Sequence, residues 1–336
     1  MAEKPIAVEE IPLSSIIRLA VGLVALVVAE AAFAQSYPEK PVRIVVGFAA
    51  GGPTDVVARI VADKLSANLG KQFYVVNQPG AGGNTATGMV ASSPGDGYTL
   101  LVVSTGFVVN PSLFAKVPYD PVKDFAPVTM VAVSPNVITV HPSVPAKTIK
   151  ELIDLIKANP GKYSFAAPGV GSTPHLSGET FRISNGLDLP TVQFTGAGPA
   201  MQSTVGGHTP VAFSAVPPAA PQIKEGLLRG LAVTAEKRSS ALPDVPTMAE
   251  AGFPGQEAYT LTGILAPAAT PKEIVALLHR EIVKLVAMPD VQKRLDELGF
   301  EVVANSPDEF AARIKTEMEK WGKVIRDAKI KAEGAQ

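Results

Sequence analysis

At 336 residues, 46% of them apolar, the chain can bury one large core or two ordinary ones, and two is the expectation. Its 30 Lys and Arg balance 31 Asp and Glu, and no basic cluster interleaved with aromatic residues occurs, so a nucleic-acid partner is not expected. With no cysteine, disulfides, thiolate metal sites and thiol catalysis are excluded.

The first 34 residues stand apart from the rest. Residues 19–29 are an unbroken apolar run of eleven, short of the roughly 20 that a membrane span needs. Arg18 precedes the run, and Ala32-Phe33-Ala34 follows it with the A-x-A pattern of a cleavage site before Gln35. Glu3, Glu9 and Glu10 make the leading segment acidic, which is irregular for a signal peptide. The expectation is a signal peptide cleaved after Ala34 and an exported protein; a retained anchor is the alternative.

Residues 42–59, VRIVVGFAAGGPTDVVAR, read as strand, glycine turn and helix. Val42, Ile44, Val45 and Val46 suit a strand buried on both faces, and Val56, Val57, Ile60, Val61 and Leu65 recur at helical spacing. Pro53 suits the first helical position, which leaves the amides of Thr54 and Asp55 facing the strand end, where an anion is favoured. Asp55 is read either as a partner for a ligand amino group or as a capping residue paired with Arg59 four positions on.

Residues 73–76 read as a second strand. Gly80, Gly82 and Gly83 resemble part of a dinucleotide fingerprint, which fails because Thr85 stands where glycine is required. A helix is expected from about Asn84, whose side chain either caps it or reaches the cleft. Residues 98–103 form a buried strand ending in Ser104-Thr105-Gly106, whose hydroxyls suit either a ligand or the loop backbone. The proline-punctuated NPSLFAKVPYDPVKDFAPV is expected to be a surface connector.

From Asn136 the pattern begins afresh, with strands at 137–140 and 163–166 and a helix from Thr148 between them. Gly169 and Gly171 then form a turn, with Ser172 or Thr173 as the cap of a helix entered through Pro174, and His175 in the same loop. This second strand, turn and helix unit suggests a ligand held between two helix starts. Strands follow at 191–194, 211–213 and 231–234, with a glycine turn at Gly196 and Gly198. Residues 259–265 are extended and could return the chain to the first half, and 274–288, 291–298 and 307–328 are helical. Trp321, on one face with Ile314 and Ile325, reads as packing.

Four scattered histidines, no H-E-x-x-H, no G-x-S-x-G and no lysine after the first glycine turn leave no metal, cofactor or catalytic group to propose. Neither site loop contains Lys or Arg, so an anion would be held by amides, hydroxyls and water.

YPEKPVRIVVGFAAGGPTD, QPGAGGN, SPGDGYTLL, NPSLF with PYDPVKDFAPV, APGVGSTPHLSGE, FTGAGPAM and LPDVPTMAEAGFPG resemble, in order, the extracytoplasmic receptors of tripartite tricarboxylate transporters, the Bug or TctC family. The resemblance spans Tyr37 to about Asp327. It implies an α/β type II periplasmic binding protein with two lobes, 37–137 plus 262–336 and 138–261, joined by crossover strands around a ligand cleft.

By the same resemblance the carboxylate site would draw on Phe48, Gly52, Thr54 and Asp55 from lobe one and Gly169, Gly171, Ser172, Thr173 and His175 from lobe two. Asn84, from its helix start, and Ser104 and Thr105, from their strand end, remain candidates. Relatives usually carry an acidic residue where this chain has Pro210 and a polar pair where it has Ser214-Ala215, so the wall at Ser214 is less polar here. The implied function is a monomeric, non-enzymatic periplasmic receptor for a small organic carboxylate, a dicarboxylate or an aromatic acid, delivered to the membrane subunits of the transporter. Rival readings are a co-receptor for a sensor kinase and a secreted enzyme.

Overall fold

β1 (Val42–Val46) is buried almost throughout because a neighbour covers each of its edges. It pairs in parallel with β2 (Phe73–Asn77) on one side and β3 (Thr99–Val103) on the other, with Ile44 opposite Val75 and Leu100. This is a computed structural model, and it describes residues 37–327 and Ile330; the signal segment and its cleavage position lie outside the described residues. α1 (Pro53–Leu69) follows β1 and ends at Gly70, whose left-handed φ of 68° suits glycine. α2 (Asn84–Ala91) leads to β3, and α3 (Gly106–Leu113) follows it.

α3 takes in the first four residues, 110–113, of the expected surface connector. Asn110 is buried there, beside Phe107, Val108 and Val109, despite Pro111 inside the helix. A proline cannot bond the carbonyl four residues back. That carbonyl, of Phe107, accepts the Tyr119 hydroxyl at 3.3 Å instead. Tyr119 stacks on Phe107 at 5.5 Å between ring centres, and Phe125 meets both rings edge-on. The proline punctuation thus conceals an aromatic cluster.

β4 (Phe125–Val140) corrects the expected fresh start at Asn136, since one strand of 16 residues runs through that point. Pro127 and Pro135 break the alternation in sequence. The ladder tolerates Pro127 through a register shift before Thr129, and Pro135 lies opposite Tyr259, where the next strand begins. The first part of β4 pairs antiparallel with β9 (Tyr259–Pro267), which also pairs with β3. Its last part pairs with β7 (Val211–Ala215) and β8 (Arg229–Val233).

α4 (Ile149–Ala158), capped by Thr148, leads to β5 (Phe165–Ala167), α5 (Thr173–Ser184) and β6 (Thr191–Gln193). α6 (Ala197–Val205) and α7 (Val216–Lys224) flank β7. The strand order is β2-β1-β3-β9-β4-β7-β5-β6, with β8 and the short β10 (Glu301–Val302) also on β4. Each half of this sheet has its own core. One gathers Val45, Leu101, Phe107, Phe310 and Trp321, the last two on α10 (Pro307–Asp327), with α8 (Lys272–Val286) and α9 (Pro289–Glu297) before it in the chain. The other centres on Phe165, Phe181 and Phe213, with Phe213 5.1 Å and 5.6 Å from its two neighbours. Trp321 packs as expected with Ile314 and Ile325, and its indole N–H donates to Glu317 at 2.9 Å.

Candidate functional site

Helix starts converge on a cavity of about 40 Å³ between the two halves of the sheet. From the β1–α1 turn come Phe48, Gly52, Pro53 and Thr54, and from the end of β3 comes Ser104. Pro168, Ser172, Thr173 and Pro174 face them from the β5–α5 turn, with Ala197 at the start of α6 and Ala215 just before α7. Thr260 comes from β9, which crosses between the halves. Neither a cation nor a carboxylate lines the cavity.

The electrostatics follow from the backbone. A helix's first amides have no carbonyl four residues back, and they carry the positive end of its dipole. In α1 these include Thr54 and Asp55, since Pro53 has no N–H and Val56 already donates to Gly52. In α5, Pro174 has no N–H and the His175 amide donates to Ser172 Oγ at 3.3 Å, which leaves Thr173. α6 adds Ala197 and Gly198 from a start with no side-chain cap. Amides without a cation make a site for a delocalised anion.

The hydroxyls differ in how far they are already committed. Thr54 is buried and lines the cavity with no side-chain partner among the described residues. Ser172 Oγ donates to Gly169 O at 2.7 Å and accepts from His175, so both its roles are taken. Ser104 Oγ accepts from the Gly106 amide at 3.3 Å and keeps its proton to give. Thr105 accepts from the Leu261 amide at 3.1 Å and donates to Tyr259 O, the carbonyl that Thr173 also reaches, at the crossing strand.

Other expected residues lie around the cavity rather than on it. Asp55 braces the turn: it accepts from the Gly51 amide at 3.0 Å, from Arg59 and from Asn77, while Asn77 also holds Phe48 O. Burial works against the Asp55 anion, but these donors together hold its pKa below the usual carboxylate value. Asn84 neither caps α2, whose cap is Gly83, nor reaches the cavity; its Oδ1 accepts from Asn110 at 2.8 Å and shares the Tyr119 hydroxyl proton, at 3.2 Å, with Phe107 O. Gly169 and Gly171 have φ of 120° and 77°; a Cβ on either would press on the Phe48 ring or on Asn110. Ser214 points away from the cavity, as strand alternation requires when its neighbour Ala215 lines it, and its hydroxyl is buried without a partner.

His175 faces a separate polar pocket of about 400 Å³ with Glu179, Arg182 and Asp188. Its Nδ1 accepts from the Gly171 amide at 3.3 Å. Burial pushes its pKa down to about 4, with Glu179 pulling the other way, so the ring is neutral at pH 7. Sequence reasoning missed Ala197, Ala215 and Thr260. For Ala197 a signal existed in FTGAGPAM, where the glycine turn opens directly into a helix.

The halves meet beside the cavity. The Ala49 amide donates to Thr195 O at 3.0 Å, and a Cβ on Gly198 would lie 2.6 Å from Ala50 O. Two half-sheets joined by β4 and β9, with an anion-suited cavity between them, define a type II solute-binding protein. The chain matches the model for the tripartite tricarboxylate transporter family receptor, TctC, over residues 57–330, and it belongs to that family.

It is similar to BugT of Bordetella pertussis (strain Tohama I), 35% identical over 302 residues that cover 89% of this chain and 93% of the relative. Rpa4515 of R. palustris, solved with adipate, is 33% identical with a TM-score of 0.85 over 88% of this chain and 99% of that one. MatC of Rhodopseudomonas palustris, solved with bound malate, is 33% identical with a TM-score of 0.82 over 86% and 100%. By family and fold the protein is a periplasmic solute-binding receptor, not a catalyst.

Proposed function

We propose that this receptor captures a small organic dicarboxylate between two lobes, 138–261 and the remainder of the folded chain, and passes it to the membrane subunits of a tripartite tricarboxylate transporter. The observation that carries this reading is the convergence of helix starts from both halves on one cavity with no cation in its wall. Micromolar affinity needs about 8 kcal/mol. One helix end supplies about 0.3 to 2 kcal/mol. Charge-assisted bonds of about 1.5 to 3 kcal/mol each, drawn from both halves, make up the difference.

The Thr54 and Ser104 hydroxyls, with the amides at the helix starts, that of Thr173 among them, hold the carboxylate in this reading. Phe48, Gly52 and Ser172 shape its surroundings, and Asp55, Asn84, Thr105, Gly169, Gly171 and His175 keep the loops in place. The adipate and malate of the two relatives support a dicarboxylate. An amino acid fits less well, because no carboxylate lines the cavity to pair with its ammonium.

A thermal-shift screen of the chain from Gln35 onward, against aliphatic diacids, aromatic acids and acidic amino acids, tests the proposal. A ligand at a hundred times its Kd adds about 2.7 kcal/mol of stability and raises Tm. A shift confined to diacids supports the reading; no shift with any acid, from ligand-free protein, removes it.

A further inference from the structure

The cavity at the helix starts is too small for a whole diacid. At about 40 Å³ it has room for roughly three water-sized positions, a carboxylate and its adjoining carbon. On the far side of Phe48 lies a groove of about 220 Å³, lined by Gly80 to Gly83 from one half and by Gly169, Val170 and Gln193 from the other. Phe48 is half-buried and borders both spaces.

The turn that carries Phe48 is held through its backbone. Phe48 O accepts from Asn77 at 3.0 Å, and the next amide is bonded across to Thr195. The ring itself lies between Gly83 and Gly169, where the missing side chains leave a slot: a Cβ on these glycines would come within 3.4 Å and 3.1 Å of it. Such a ring can turn on χ1 without disturbing the turn that carries it. Gln193 borders the groove as well as the polar pocket beside His175; its Oε1 is buried without a partner, and its NH₂ group makes no hydrogen bond among the described residues. A side-chain amide can present either its oxygen or its NH₂ donors there by a half-turn.

We propose that the outer groove is a second subsite, in which Gln193 holds the distal carboxylate of an elongated diacid whose chain passes against a displaced Phe48 ring. This deepens the carboxylate reading and rests on it. Anchored at both ends, the ligand ties the two halves of the molecule together, and a monoacid of the same length lacks the distal hold.

Calorimetric titration with pimelate and with heptanoate, which differ only in the distal carboxylate, tests the inference. The expected result is pimelate binding at least tenfold more tightly than heptanoate, with that ratio falling at least fivefold in Gln193→Ala and further in Gln193→Glu, whose charge repels the distal end. Equal affinity for the two acids in the wild type, or an unchanged ratio in both variants, overturns the second subsite while leaving carboxylate capture standing. Binding of neither acid overturns both.

Discussion

Thr54 and Ser172 sit at corresponding helix starts in the two halves, yet their hydroxyls are committed differently. Ser172 caps α5 through the His175 amide and bonds Gly169 O, so its work is structural. Thr54 has no side-chain partner among the described residues and faces the cavity. Thr54→Ala is therefore expected to weaken ligand binding by about 1 kcal/mol at unchanged Tm. Ser172→Ala is expected to cost about 1 kcal/mol of stability through the lost cap. Titration and thermal melting of both variants separate the roles, and full affinity in Thr54→Ala removes its hydroxyl from the site. In sequence the two residues look equivalent, because which lone pairs remain unspent depends on partners such as Gly169 that fold against them.

At the scale of the element, the β1–α1 turn depends on Asp55. Its pKa is held below the ordinary 3.8, so its contribution is present above that value and is lost as the pH falls through the lower folded value. Asp55→Asn is expected to lose about 2 kcal/mol of stability at pH 7 through weakened charge-assisted bonds. The gap from wild type should close in strong acid, and melting curves at pH 7 and pH 2 that show a constant gap would count against the brace.

α5 carries the opposite kind of group, a buried base. With His175 at about 4 when folded and 6.5 as its ordinary value, the unfolded chain takes up the proton first. The stability contribution is full above 6.5 and is lost as the pH falls toward 4, by about 3 kcal/mol in all. His175→Asn keeps an acceptor for the Gly171 amide but does not titrate. Its Tm should fall less steeply than that of the wild type between pH 6.5 and 4, and identical slopes would remove His175 from the pH response.

For the whole molecule, function depends on how closely the halves approach. Gly198 lies against Ala50 O across the boundary, where an added Cβ would come within 2.6 Å. Gly198→Ala is expected to hold the halves apart and reduce ligand affinity tenfold or more, with each core intact. Small-angle scattering should then show no ligand-induced compaction, in contrast to the wild type. Compaction equal to that of the wild type would mean that the contact does not limit closure.

The sequence by itself determined the repeated strand, glycine turn and helix unit, because buried β-branched strands, proline at a first helical turn and glycine turns are local physics. It also determined that any anion site would lack a cation, since neither site loop carries Lys or Arg. Tertiary structure alone decided that β4 continues through Pro127 and Pro135, because a register shift and a strand partner that begins opposite Pro135 are properties of the pairing. It likewise decided that Ala197, Ala215 and Thr260 meet Thr54 at one cavity while Ser214, Asn84 and His175 face elsewhere. Small side chains such as Ala215 carry no chemical signal of their own in a sequence; they become the wall of a site only when distant helix starts are brought together and their amides need a narrow space to point into.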